Sequence, residues 1–324
     1  MNIGIDIMGG DKAPSATIGG AIIARKELPE SDHLFLFGDE KIITEALIHE
    51  GADPAAFNIV HAPETIGMGE HATKAISQKP NSGIALGFKY LKKSKIDAFA
   101  SAGNTGAMLV GSIFSVNTVQ GVIRPCITSI LPKENGNVGI LLDVGAVPDC
   151  RPDILYQFGI LGSLCAQYVY NIKNPKVGLL NIGEEEEKGN LLTQAAFRLM
   201  KSTKDFNFIG NVESRDLFKD KADVIVCDGF SGNIALKQTE ALYRMVTKRG
   251  YTDEFFKRLN YENYGGTPIL GINSTVIIGH GISNDIAIKN MILLAKDVFE
   301  AKLSKRIKIA MANYISAKEN ETNS

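Results

Sequence analysis

The sequence predicts an α/β protein built on a mostly parallel, doubly wound sheet, and two observations support this. Short apolar runs alternate with longer segments of helical periodicity along most of the chain, which is the pattern of βαβ units. Several of these runs end in clusters of Gly, Asn, Asp and Ser, as strands do where they face a ligand. The predicted strands are 3–5, 34–37, 58–60, 98–100, 126–131, 138–142, 177–180, 207–209 and 224–227. The predicted helices include 15–26, 41–49, 83–93, 154–170, 191–201 and one or two helices over 284–316.

Composition indicates an ordinary cytoplasmic protein. The 35 basic and 36 acidic residues give a net charge of -1, which argues against general nucleic-acid binding because that depends on neutralising phosphates. The four cysteines form no CxxC pair, the start has no basic secretion signal, and no apolar run approaches the roughly 20 residues that span a bilayer. Because no repeat or composition break interrupts the chain, we expect one large domain over residues 1–316 and a frayed polar tail over 317–324.

The loop after the first predicted strand carries Asp6, Gly9, Gly10 and Asp11. Two adjacent glycines permit backbone conformations and close approaches that side chains forbid. The loop therefore resembles a phosphate-binding loop, although it lacks the G-x-G-x-x-G pattern, and a plain strand-to-helix turn explains it equally well.

Residues 100–107, ASAGNTGA, lie between a predicted strand and a predicted helix. Their small residues bring backbone N–H groups and polar side chains to a helix N-terminus, which favours anion binding. The residues concerned are Ser101, Gly103, Asn104, Thr105 and Gly106. In the earlier polar loop 64–74, His71 has no partner at a defined spacing, so we expect a structural or surface role for it.

The segment 177–190, VGLLNIGEEEEKGN, has the features of a ligand-facing loop. Its apolar start predicts a buried strand, which ends at Asn181 and Gly183 before four glutamates lead to Lys188. Ligands bind beyond the carboxyl ends of strands in open α/β sheets, so a lone lysine beside a glycine suggests a binding role. A solvated, charged turn that caps the next helix is the alternative.

Two further predicted strands end in aspartate. Asp143 closes one, and Asp228 precedes a second small-residue loop that contains Gly232 and Asn233. No further metal ligands stand at a useful spacing near Asp143, so no metal is predicted. A glycine-rich segment, 264–283, is not assigned to a strand. Because the carboxyl ends of parallel strands lie on one side of a sheet, we expect these loops to line a single cleft that binds an anionic ligand.

Eight segments in order resemble one family, the bacterial phosphate acyltransferases, which are acyl-ACP:phosphate acyltransferases of fatty acid and phospholipid synthesis. The segments are DIMGGDKAP, SAGNTGA, LLDVGA, GLLNIGEEEEKGN, NFIGNVESRDL, CDGFSGNIALK, YGGTPILGIN and HGIS. They run from Asp6 to Ser283, so the resemblance covers nearly the whole chain. The chain departs from the family at Val147 and Pro148, where Asn-Val is usual, and in a shortened segment between 238 and 263.

The resemblance implies a three-layer α/β/α sandwich like that of the isocitrate and isopropylmalate dehydrogenases, and a homodimer. It implies that orthophosphate attacks the thioester of an acyl carrier protein and releases acyl phosphate for glycerophospholipid synthesis, with no cofactor. It also implies a cytoplasmic enzyme with peripheral contact to the inner face of the cell membrane, an expectation that the short 238–263 segment weakens.

The resemblance also implies residue roles. Lys188 would neutralise the incoming phosphate, and Asn233 would donate to the oxyanion or to phosphate. Asp6, Asp143 and Asp228 would orient these groups and would not act as bases. The residues expected to bind phosphate or substrate are Gly9, Gly10, Asp11, Gly103, Asn104, Thr105, Gly106, Asp143, Asn181, Gly183, Asp228 and Gly232. Because carrier proteins are acidic, a basic docking patch is expected. Its candidates are Lys248, Arg249, Lys257 and Arg258.

Three other functions stay open. A phosphotransacetylase-like enzyme would use acyl-CoA instead of acyl carrier protein. A nicotinamide-dependent dehydrogenase is disfavoured because the G-x-G-x-x-G pattern and a metal-ligand cluster are both missing from the sequence. A non-catalytic scaffold would bind carrier protein or membrane without releasing thiol in response to phosphate.

Overall fold

The computed structural model describes the backbone of residues 1–322, and their side chains except those of residues 261, 321 and 322. Within this range the strands are β1 (Asn2–Asp6), β2 (His33–Gly38), β3 (Asn58–His61), β4 (Ala98–Ser101), β5 (Cys126–Pro132), β6 (Val138–Leu142), β7 (Lys176–Asn181), β8 (Asn207–Glu213), β9 (Val224–Val226), β10 (Gly266–Leu270) and β11 (Thr275–Gly279). The α-helices are α1 (Ser15–Glu27), α2 (Glu40–His49), α3 (Ala72–Gln78), α4 (Gly83–Lys92), α5 (Thr105–Val116), α6 (Pro152–Tyr168), α7 (Leu191–Met200), α8 (Gly229–Lys248), α9 (Glu254–Arg258), α10 (Asp285–Glu300) and α11 (Leu303–Thr322).

The predicted strands and helices are confirmed, most of them to within a residue or two, and the structure differs in two places. Segment 264–283 forms β10 and β11, which pair antiparallel in the register Thr267 to Ile278. The paired glycines of this segment concealed two short apolar runs that are long enough for strands. The other difference is that α11 continues to Thr322, beyond residue 316, where the sequence interpretation ended its last helix; a polar tail over residues 317–324 stays a prediction. Alanine, lysine and glutamate in that stretch all have high helix propensity.

The chain forms two compact units. Unit 1 comprises Met1–Asn117 and Tyr261–Glu300, and unit 2 comprises Thr118–Asn260 and the chain from Ala301 onward. In each unit the strands are mostly parallel and are flanked by helices, which confirms the predicted α/β fold class. One domain over residues 1–316 stays a prediction.

In unit 1 the strand order is β3-β2-β1-β4-β11-β10, and β10 is the antiparallel member. The chain winds from β1 to β2 and β3 in one direction and returns to β4 on the other side of β1. The carboxyl ends of β1 and β4 thus form a topological switch point, where doubly wound sheets bind ligands. Helices α1 and α10 pack closely because Gly20 has no side chain: a Cβ there would lie 2.5 Å from the Cβ of Ile288.

In unit 2 the strand order is β5-β6-β9-β7-β8, and β5 runs antiparallel to β6. Strands β6, β9 and β7 are consecutive parallel neighbours, so their carboxyl ends lie side by side. All seven residues of β5 and all three of β9 are buried. Among the described residues, no helix is long and apolar enough to cross a membrane.

Candidate active site

The switch point of unit 1 is organised around Asp6, whose side chain is almost completely buried at the end of β1. Ser101, at the end of β4, donates its hydroxyl to Asp6 Oδ2 at 2.7 Å and accepts the Gly103 N–H at 2.9 Å. Gly9 packs directly on this group, since a Cβ there would lie 2.3 Å from Asp6 Oδ2 and 2.8 Å from Gly103 N. The structure therefore brings together the two small-residue loops of unit 1 that the sequence predicts as anion sites.

Burial raises the pKa of Asp6 from its usual 3.8 to about 6. Hydrogen bonds from the Ser101 hydroxyl and the Met8 backbone lower the pKa and offset part of this effect. The net effect is a raised pKa, because desolvation disfavours the carboxylate form and the two hydrogen-bond donors offset only part of that cost. Asp6 consequently changes its charge close to neutral pH.

Gly10 and Asp11 contact the turn after β11. The Asp11 N–H donates to the Gly281 carbonyl at 2.7 Å, and Gly10 has a φ of +107°, a backbone angle that favours glycine. A Cβ on Gly10 would also lie 3.2 Å from the Gly281 oxygen. This contact holds the loop after β1 in place, while substrate binding by Gly10 and Asp11 stays a prediction.

The N-terminus of α5 is capped by Asn104, whose Oδ1 accepts the Ala107 N–H at 2.9 Å. Its Nδ2 points to three carbonyl oxygens of the loop 67–70, at distances of 2.9 to 3.1 Å. The Asn104 amide therefore ties this loop to α5. The backbone N–H groups of Thr105 and Gly106 lie in the first turn of α5, where helices lack internal acceptors.

His71 is exposed at the start of α3, consistent with the expected surface role.

In unit 2, Asp143 follows β6 and is fully buried. Its carboxylate accepts the backbone N–H groups of Ile127, Ala146 and Val147 at 2.9, 3.2 and 2.6 Å. Burial raises the Asp143 pKa, and these backbone donors counteract the rise. Asp143 thus fixes the path of the loop after β6. Gly232 packs on the same residue: a Cβ on Gly232 would lie 2.0 Å from the Asp143 carbonyl oxygen.

Asn233 lies in the second turn of α8, since this helix begins at Gly229 directly after its N-cap Asp228. The small residues expected to form a loop after Asp228 are therefore helical. Asp228 accepts the N–H and the hydroxyl of Ser231 at 2.8 and 2.9 Å. The Asn233 Nδ2 donates to the Val144 carbonyl at 3.0 Å, which occupies one of its two N–H groups.

Lys188 is exposed in the loop between β7 and α7. Two of the four preceding glutamates pair with other lysines, Glu184 with Lys221 and Glu186 with Lys201. Within the part of the chain that the structure describes, the Lys188 ammonium forms no ion pair. The Lys188 side chain packs closely against the backbone of Gly183, because a Cβ on Gly183 would lie 2.8 Å from Lys188 Cγ. Lys188 is thus a cation available to an anionic substrate.

Asn181 is buried and holds this loop from within. Its Oδ1 accepts the Ile182 N–H at 2.9 Å, and its Nδ2 donates to the Lys188 carbonyl at 3.1 Å. Asn211, a residue that the sequence interpretation did not single out, accepts a hydrogen bond from the same Nδ2 at 3.1 Å. The Gly-Asn pair at 210 and 211, directly after a predicted strand, is the signal that could have identified it.

Three carboxylates of unit 2 place oxygen atoms within 4.8 Å of one another, those of Glu184, Glu213 and Asp216. Lysine and arginine side chains pair with all three: Lys221 with Glu184 and Asp216, and Arg215 with Glu213. The cluster is therefore an ion-pair network of the protein itself.

The basic docking residues predicted near the end of α8 differ in their environments. Lys248 and Arg249 are exposed. Lys257 pairs with Glu254 at 2.6 Å, and Arg258 donates to the Lys133 carbonyl at 3.0 Å. The guanidinium of Arg258 thus contributes to the folding of unit 2 around the turn after β5.

In unit 2 the two predicted catalytic residues, Lys188 and Asn233, and the predicted binding residue Asp143 follow neighbouring strands. Asp143 follows β6, Asn233 belongs to the helix after β9, and Lys188 lies in the loop after β7. A flexible cation and an amide donor at adjacent strand ends can neutralise an anion and stabilise negative charge that develops during a reaction.

Comparison with known proteins identifies the relatives of this chain. The sequence model of the family described as "Fatty acid synthesis protein" matches residues 1–250 and 245–306. The chain belongs to this family. A family relative from Desulforamulus reducens, named phosphate acyltransferase, is 42% identical over 97% of this chain and 98% of its own length. A protein of the same name from Dictyoglomus turgidum is 40% identical over 95% of this chain and 96% of its own.

The fold of this family member is similar to that of solved phosphotransacetylases. The Streptococcus pyogenes phosphotransacetylase superimposes with a TM-score of 0.66 over 92% of this chain and 94% of its own, at 15% identity. The EutD phosphotransacetylase from Staphylococcus aureus gives a TM-score of 0.63 over the same shares, at 14% identity. At these identities the likeness concerns the fold.

Proposed function

We propose that this protein is a phosphate acyltransferase that moves a long-chain fatty acyl group from acyl carrier protein to orthophosphate. The observation that carries the proposal is that the loop after β7 contains Lys188 and that α8, the helix after the adjacent strand β9, contains Asn233. Membership of the fatty acid synthesis protein family and relatives of about 40% identity named phosphate acyltransferase support the reaction class.

In the proposed reaction an oxygen of orthophosphate attacks the thioester carbonyl carbon. The C–S bond then breaks, the carrier's thiol leaves with a proton supplied by the phosphate, and the product is acyl phosphate. Phosphate is itself a competent nucleophile, so the protein needs no covalent intermediate. Its contribution is to hold two reactants in line and to stabilise the tetrahedral oxyanion.

Lys188 and Asn233 have different roles in this proposal. The Lys188 ammonium neutralises the phosphate before attack. Asn233 uses one N–H to bind the Val144 carbonyl, which fixes the amide plane, and directs the other to the oxyanion or to phosphate. Asp143 and Asp228 orient the loops around Asn233.

The remaining residues are proposed to bind the anionic groups of the substrates or to shape the loops that do so. In unit 1 they are Gly9, Gly10, Asp11, Gly103, Asn104, Thr105 and Gly106, of which Asn104 acts by capping α5. In unit 2 they are Asn181, Gly183 and Gly232. We further propose a cytoplasmic homodimer that docks carrier protein through Lys248 and Arg249 and contacts the inner face of the membrane peripherally.

The deciding experiment measures thiol release from a long-chain acyl carrier protein with and without orthophosphate, and repeats it with the matching acyl-CoA. Phosphate-dependent release from the carrier protein, with acyl phosphate as product, is the expected result. Release from acyl-CoA alone would indicate a phosphotransacetylase-like enzyme. Carrier binding without any release would indicate a scaffold and refute the proposal.

Alanine variants then test the residue roles. Lys188→Ala and Asn233→Ala should fold normally and lose most turnover, on the order of 100-fold to 1,000-fold each, because each removes a donor used in the transition state. Lys201→Ala is a matched control, since Lys201 is an exposed lysine that pairs with Glu186 of the same loop. Wild-type rates in both test variants would refute the assignment.

A further inference from the structure

Asn211 is a buried amide, only 3% exposed, at the carboxyl end of β8. It forms two hydrogen bonds through its side chain. Its Oδ1 accepts the Asn181 Nδ2 at 3.1 Å, and its Nδ2 donates to the Glu185 carbonyl at 2.8 Å. Buried side-chain amides that satisfy both polar atoms rigidify the groups they connect.

The two asparagines hold the turn 185–188 at both of its ends. Asn211 binds the Glu185 carbonyl, Asn181 binds the Lys188 carbonyl, and the Lys188 N–H donates to Glu185 O at 3.2 Å to close the turn. Four consecutive glutamates repel one another, which opposes a compact turn. The amide pair supplies fixed contacts that counter this repulsion.

The backbone of β8 is built to direct Asn211 to this position. Pairing with β7 runs from Val177 opposite Phe208 to Leu179 opposite Asn211, so β8 contains one extra residue. Gly210 lies in this bulge with a φ of +97°. Because successive side chains in a strand point to opposite faces, removing the extra residue would turn Asn211 away from the loop.

We propose that Asn211 is a positioning residue that sets the backbone from which Lys188 reaches phosphate. The inference rests on the proposed function for the role of Lys188, whereas the ordering of the turn can be measured without any turnover. The competing explanation is that the amide pair stabilises the β7–β8 junction and has no effect on Lys188.

The experiment compares Asn211→Ala and Asn211→Asp with Asn207→Ala. Asn207 is a matched control because it lies on the same strand and its amide bonds the Asn174 carbonyl, away from the loop. Asn211→Asp preserves side-chain volume and the acceptor for Asn181 but cannot donate to Glu185, so it tests the hydrogen bond in a variant that leaves no cavity.

Hydrogen exchange of the amides in residues 182–190 is the first measurement. Both Asn211 variants should exchange faster than wild type in this loop, and Asn207→Ala should not. Unchanged exchange in both Asn211 variants would overturn the inference, whether or not the protein turns over acyl carrier protein. If the Asn211 variants exchange faster but the wild-type protein shows no phosphate-dependent thiol release, the ordering of the turn by Asn211 stands and the proposed function is refuted.

Kinetics with varied phosphate are the second measurement. Asn211→Ala should lower kcat/KM for phosphate on the order of 10-fold to 100-fold, since small displacements of a catalytic group have effects of this size. Combined with Lys188→Ala it should cause little further loss, because both changes remove the same contribution. Independent, multiplicative losses in the double variant would overturn the inference.

Gly210→Ala adds a test of the bulge. A Cβ on Gly210 would meet only Phe197 Cε2, at 3.9 Å, so the substitution changes the backbone preference without a steric clash. The variant should reproduce the faster loop exchange of the Asn211 variants. Wild-type exchange in a folded Gly210→Ala protein would show that the bulge does not direct Asn211.

Discussion

Asp6 and Asp143 occupy equivalent places in their units but are stabilised in different ways. Each follows or ends a parallel strand, each is buried, and burial raises the pKa of both. Asp6 accepts hydrogen bonds from the Ser101 hydroxyl and the Met8 backbone, whereas Asp143 accepts three backbone N–H groups from two different segments of unit 2.

The difference shows that one residue type at one place in a fold can serve two purposes. Backbone donors have no alternative acceptor once Asp143 is removed, so the folded state depends on it. A serine hydroxyl can rotate to another partner, so the Asp6 group can change its protonation without unfolding the loop. Asp143 is accordingly a structural clamp, and Asp6 is a titrating group beside a predicted anion site.

The largest expected effect is that of Asp143→Ala. Three buried backbone N–H groups would lose their acceptor, which should lower the free energy of unfolding by about 3–5 kcal/mol. Urea unfolding followed by circular dichroism measures it, because the protein has no tryptophan to report by fluorescence. Asp149→Ala, an exposed change in the same loop, should alter stability by less than about 0.5 kcal/mol. Equal urea midpoints for Asp143→Ala and Asp149→Ala would mean that the fold does not depend on the Asp143 carboxylate, and the contrast between Asp143 and Asp6 would fail.

Asp6→Asn should have a smaller effect that depends on pH. The folded state holds the Asp6 proton up to about pH 6, whereas the unfolded chain releases it near 3.8, so this group's contribution to stability falls as pH rises between these values. The difference corresponds to roughly 3 kcal/mol at pH 7. Asparagine does not titrate, so the variant should lose this part of the pH dependence and should gain on wild type as pH rises from about 4 to about 6.

Unfolding curves of wild type and Asp6→Asn at several values between pH 4.5 and 8 test this prediction. The stability difference between the two proteins should change across that range in favour of the variant. A difference that does not vary with pH would mean that Asp6 keeps the same protonation state in the folded and unfolded protein.

The sequence was sufficient to predict the strand ends that carry Asp6, Asp143 and Asp228, but not the hydrogen-bond partners of the residues found at such ends. Asp6, Asp143 and Asp228 follow apolar runs, and this local pattern predicted their positions correctly. Asn104 also fits a local pattern, that of an anion-binding loop. Its amide nevertheless bonds residues more than thirty positions earlier in the chain, a contact that no periodicity or spacing reveals.

Asn211 illustrates a second limit. The predicted strand stopped at Ile209, directly before a glycine, whereas the structure continues β8 through a bulge at Gly210. Whether a glycine ends a strand or bends it depends on the register with the neighbouring strand, and register is a property of two segments. The same ambiguity concealed β10 and β11 among the glycines of segment 264–283.

Ser101→Ala should have the smallest effect of the three. It removes the donor to Asp6 and the acceptor of the Gly103 N–H, so we expect a loss of about 1–2 kcal/mol in the free energy of unfolding. Because the Ser101 hydrogen bond lowers the Asp6 pKa, its removal should also raise that pKa and shift the pH-dependent loss of stability to higher pH.

Ser112→Ala is the matched control, since Ser112 is equally buried and its hydroxyl bonds only a carbonyl of its own helix, that of Leu109. This variant should leave the pH dependence of stability unchanged. If Ser101→Ala also leaves it unchanged, then the Ser101 hydroxyl has no influence on the Asp6 pKa, and the contrast between a hydroxyl donor at Asp6 and backbone donors at Asp143 fails.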